Sequence, residues 1–91
     1  MNVAQCFGEN LARLRRQAGQ SQDELADRST LHRTVISQLE TGKREARAST
    51  ILKLAGGLEV EPGELFEGIE FEPPRPAKAA KGRFKTRSRK R

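Results

Sequence analysis

Apolar residues recur at helical spacing through most of the chain, in runs broken often enough to predict several short helices instead of a few long ones. Val3, Phe7, Leu11 and Leu14 are spaced by four, four and three positions, which puts them on one face of a helix over Val3 to Ala18. The other face carries Arg13, Arg15, Arg16 and Gln17, set for solvent or for phosphate. Gly19 follows the last turn, as a C-terminal cap does. Ser21 and Glu24 then form S-x-x-E, a capping box in which each side chain satisfies the other residue's free backbone N–H. A second helix therefore runs from Gln22 to Arg28, with Leu25 and Ala26 inward. Ala26 is small because another helix must pass close by.

Only Ser29, Thr30 and Leu31 separate this helix from the next, His32 to Glu40, so the two meet at a tight corner. The stretch from Ser21 to Gly42 thus has the shape of a helix-turn-helix. Ile36 and Leu39, with Val35 in part, turn inward and leave His32, Arg33, Thr34, Ser37, Gln38 and Thr41 on the opposite face. That face is polar and free of acids. Arg and Gln on one helix face suit bidentate reading of guanine and adenine edges in a major groove. Lys43 and Arg44 follow the Gly42 cap, where they complement the helix dipole or clamp phosphates beside the groove.

A further helix is predicted over Ala48 to Leu58, with Ile51, Leu54, Ala55 and Leu58 buried; Gly56 and Gly57 either permit close packing or fray its end. Pro62 starts a last short helix to Phe66. Ile69 to Glu72 alternates apolar and acidic residues, and Phe71 either packs within the monomer or joins an apolar dimer surface. Beyond it, Pro73, Pro74 and Pro76 stop regular structure, and Ala77 to Arg91 has only Phe84 as a large apolar residue. This stretch reads as a disordered polycationic arm.

Charge divides the chain at the same place. Residues 1–72 hold nine Lys/Arg and twelve Asp/Glu, a net −3, whereas residues 73–91 hold nine Lys/Arg and no acid, a net +9; together they give the +6 of the whole. The basic character belongs to the arm and points to a polyanionic partner. A body of about seventy residues buries one small core, which makes oligomerisation a plausible supplement.

Other chemistry finds little support. Cys6 and His32, the single cysteine and single histidine, fall on a supporting helix and at the start of the exposed one, so no catalytic residue is assigned. They are too few for a zinc site and no Gly-rich phosphate cradle is present, so no cofactor or metal is expected either. Glu59, Glu61, Glu64, Glu67, Glu70 and Glu72 spread like a solvated surface that repels DNA from that end. No apolar run is long enough for a membrane span, and the chain reads as cytoplasmic and nucleoid-associated, with no membrane partner.

These residues resemble the lambda-repressor-like, Cro/C1-type (XRE) helix-turn-helix regulators of bacteria and phages. The likeness runs from about Phe7 to Phe66 through FGENLARLRRQAG, SQDELADRS, LHRTVISQLETGKR, ILKLAGGLEV and PGELF. LHRTVIS is similar to the LxRTxIS of restriction-modification controller proteins and many actinobacterial regulators. The resemblance implies an all-α, compact five-helix bundle over 1–72 that binds double-stranded DNA as a homodimer at a palindromic operator. It implies base-facing roles for His32, Arg33, Thr34 and Gln38, with Ser37 beside them. Gln22, Lys43 and Arg44 take phosphate positions, and Thr41 joins them. Three residues depart from the pattern: Thr30 and Glu59 replace turn glycines, and Arg47 replaces a Ser or Pro at a helix start. The expected function is a sequence-specific transcriptional regulator, a dimeric repressor or autoregulator. The alternatives are an antitoxin with a toxin partner, a restriction-modification controller, or an architectural protein that binds nucleic acid through the arm without reading sequence.

Overall fold

The computed structural model describes residues 2–70. Four α-helices, α1 (Val3–Gln17), α2 (Gln22–Ser29), α3 (Arg33–Glu40) and α4 (Ala48–Leu58), precede a 3-10 turn at Pro62–Phe66; no strand occurs among the described residues. The bundle is all-helical as expected, but it has four α-helices and a 3-10 turn, not five helices. Pro62 opens the last segment, Gly63 lowers its helix propensity, and Glu67 returns to an extended conformation, so five residues form tight i to i+3 bonds without propagating an α-helix. Phe71 and the proposed disordered arm, 73–91, lie outside the described residues.

Each helix begins and ends where its chemistry dictates. Ser21 and Glu24 form the reciprocal capping box of α2, and Asn2 with Gln5 forms another at α1. The α3 helix starts one residue later than its periodicity suggests, because His32 is extended and serves as N-cap. All four α-helices stop in the same way, with two backbone bonds that wrap the last turn. At α2 these are Leu31 N–H to Ala26 O and Thr30 N–H to Asp27 O; at α4, Val60 N–H to Ala55 O and Glu59 N–H to Gly56 O. Thr30 (φ 56, ψ 42) and Glu59 (φ 59, ψ 45) are left-handed there. The corner keeps the geometry of a turn glycine although neither position has one.

Leu11, Leu25, Ile36, Leu39, Leu54 and Leu65 are fully buried, one or two from each element. Each stabilises the bundle by about 1.5–3 kcal/mol relative to exposure. Two glycines set helix spacing. At Gly8 an added Cβ would overlap the Leu39 carbonyl oxygen and lie 2.7 Å from that of Glu40, so α1 and α3 touch backbone to backbone. Gly57 is buried against α2, 3.2 Å from Leu25 Cδ1 and from Ser29 N by the same construction, which favours close packing over fraying. The outcome is that α3 packs on α1 and α2, while the 3-10 turn packs on α1 and α4.

Candidate nucleic-acid interface

Helix α3 is amphipathic: Ile36 and Leu39 enter the core and Val35 packs against it. The opposite side bears a shallow depression lined by Arg33, Thr34, Ser37, Gln38, Thr41 and Lys43. Six of the residues singled out by pattern or resemblance thus line one depression that contains no acid itself. His32 stands beside it as the exposed N-cap, and its side chain makes no capping bond.

The long side chains at this surface are held from outside α3. Arg33 Nε lies 3.5 Å from Asp23 Oδ1, across the corner, with both side chains exposed. Arg44 Nε donates to Gln38 Oε1 at 2.9 Å. The Thr41 hydroxyl donates to Ser37 O at 2.9 Å, so its proton is used within the helix.

Gln22 is drawn inward to a charged cluster beneath the surface. Arg15 Nε and Nη2 donate to Glu40 Oε2 and Oε1 at 2.6 and 3.2 Å, Arg15 Nη1 donates to Gln20 O at 2.8 Å, and Gln22 Nε2 donates to Glu40 Oε1 at 3.0 Å. The Arg15 and Glu40 side chains are only 14% and 7% exposed. The hydrogen bond to Glu40 raises the Arg15 pKa above its usual value, outweighing the opposing effect of burial. One ion pair therefore ties α1, the α1–α2 loop, the start of α2 and the end of α3 together. Periodicity alone puts Arg15 on a solvated or phosphate-facing surface. The signal for its true role is Glu40, an acid next to inward Leu39 that needs a buried cation.

Among the described residues no group of three or more His, Cys, Asp or Glu can hold a metal, and no helix is long and apolar enough to cross a membrane. A short corner, a second helix braced from behind and a polar outer face define a helix-turn-helix DNA-binding module. A helix-turn-helix family model matches residues 11–65, and the chain belongs to the Cro/C1-type (XRE) helix-turn-helix family of transcriptional regulators. The chain is 38% identical over 73 residues to the uncharacterized HTH-type transcriptional regulator y4dJ of Sinorhizobium fredii, covering 80% of this chain and 95% of that one. It is 34% identical over 67 residues to control protein C.BamHI of Bacillus amyloliquefaciens, covering 72% and 83%. The crystal structure of the restriction-modification controller protein C.AhdI from Aeromonas hydrophila superposes with a TM-score of 0.68 at 43% identity, over 69% of this chain and 96% of that one.

Proposed function

We propose that the protein regulates transcription by binding an inverted-repeat operator as a homodimer, with α3 of each protomer in successive major grooves about 34 Å apart. The observation that carries this reading is the acid-free depression on α3 that gathers Arg33, Thr34, Ser37, Gln38, Thr41 and Lys43. Arg33 and Gln38 set base preference, with His32, Thr34 and Ser37 beside them; Lys43, Arg44, Gln22 and Thr41 contact phosphate. Exposed Val3, Leu52 and Phe66, at 50, 62 and 41%, supply apolar surface for a second copy. The basic arm adds affinity without sequence information.

Restriction-modification control is the specific role that the relatives favour, because C.AhdI is described as a restriction-modification controller protein and C.BamHI as a control protein. In that role the same DNA-binding module times the action of a partner. Copurification of a toxin would instead identify an antitoxin. The direct test is selection from randomised duplexes with the full chain: an enriched inverted repeat supports a regulator, whereas flat recovery with steep salt dependence supports architectural binding.

A further inference from the structure

Arg44 stands just outside α3, in the loop that follows its cap. Lys43 N–H donates to Gln38 O at 2.9 Å and Gly42 N–H to Leu39 O at 3.2 Å, so the loop backbone is fixed relative to Gln38. Gly42 (φ +76) also abuts α1, where an added Cβ would lie 2.8 Å from Gln5 Cγ. From this anchored position the Arg44 Nε reaches Gln38 Oε1 at 2.9 Å.

We propose that Arg44 is a positioning residue for specificity, which locks the Gln38 amide in one orientation and couples base reading to a phosphate contact. This rests on the reading that α3 faces DNA bases. The chemistry is asymmetric. A guanidinium has donors only, so the amide oxygen must face it and the NH2 group must point away. A free glutamine offers two donor–acceptor orders by rotating its amide through 180°. Gln38 beside Arg44 offers one, because rotation sets an NH2 group against the Nε–H. The oxygen keeps a second lone pair, so the side chain still presents an acceptor and a donor, now in fixed order. Adenine carries the complementary pair in the major groove, N6–H2 donor and N7 acceptor, and reversing the base pair moves that pair to the other strand. A fixed amide discriminates between such arrangements better than a rotating one. Meanwhile Nη1 and Nη2 of Arg44 remain able to hold phosphate, so the same guanidinium joins backbone contact to base contact.

The test uses the full chain and the duplex it enriches from a randomised pool, with every single base-pair substitution in one half-site. Gln38→Ala defines the base pair that Gln38 reads, as the position where preference flattens. Arg44→Ala is expected to weaken every duplex by a common factor and, in addition, to reduce discrimination at that base pair about 2- to 10-fold. Arg44→Lys keeps the charge without the fork, and should recover the common factor but not the discrimination. In the Gln38→Ala background, Arg44→Ala should retain its common factor and have no further effect on discrimination. A preference profile unchanged by Arg44→Ala, or a loss of discrimination of equal size without Gln38, overturns the positioning role and leaves α3 as the reader. A wild-type chain that enriches no sequence overturns both readings.

Discussion

Arg15 and Glu40 join the first helix to the end of α3 through two hydrogen bonds of 2.6 and 3.2 Å, and Gln22 shares the same carboxylate. The consequence is that a largely buried ion pair helps to set the angle at which α3 presents its polar face. Glu40→Ala leaves the guanidinium uncompensated and should cost about 3 kcal/mol, measured by urea unfolding. Glu40→Gln retains one acceptor oxygen for Arg15, although its NH2 replaces the second acceptor, and should cost less than the alanine. Because the hydrogen bond to Glu40 raises the Arg15 pKa, its contribution is complete throughout the range below the ordinary guanidinium pKa and is lost only as pH rises through the still higher folded one. The Arg15 side of the pair therefore gives the same stability at about pH 6 and about pH 9.

Gly8 allows α1 and α3 to meet backbone to backbone. Gly8→Ala should destabilise the fold by more than about 2 kcal/mol, although alanine favours helices elsewhere, because neither Leu39 O nor Glu40 O can retreat without moving α3. Thermal unfolding checks this; a rise in Tm would show that the helices yield.

Thr30 and Glu59 hold left-handed conformations that favour glycine. Thr30→Gly and Glu59→Gly should each stabilise the protein by about 0.5–1 kcal/mol, as relief of the side-chain clash exceeds the added freedom of the unfolded chain. The urea midpoint should rise with an unchanged slope.

Truncation after Glu72 removes nine cations and no acid. Affinity for all duplexes should fall together, and the slope of log K against log salt should flatten by about 0.9 for each phosphate that the arm no longer neutralises. The enriched sequence should not change, and an unchanged slope would take the arm out of DNA binding.

Most of the fold was legible because its signals are local. The S-x-x-E of Ser21 and Glu24 placed the start of α2, and the periodicity of Ile51, Leu54, Ala55 and Leu58 placed α4 over Ala48–Leu58. The polar outer side of α3 followed from Ile36 and Leu39 turning inward. What stayed hidden depends on which helices touch. Gly8 is an ordinary glycine until α3 lies on it, and Arg15 is one of three arginines within four residues until Glu40 meets it. The partners of the candidate readers, Asp23 for Arg33 and Arg44 for Gln38, likewise come from neighbouring elements that periodicity cannot bring together.

Whether the outer face of α3 meets DNA can be followed residue by residue, by titrating the isotope-labelled chain with its enriched duplex and recording every backbone amide by NMR. The largest shifts should fall on residues 32–44 and the start of α2, with little change from Glu59 to Glu70. Shifts concentrated at 59–70, with residues 32–44 silent, would place the DNA on the opposite side of the bundle and remove α3 as the reader.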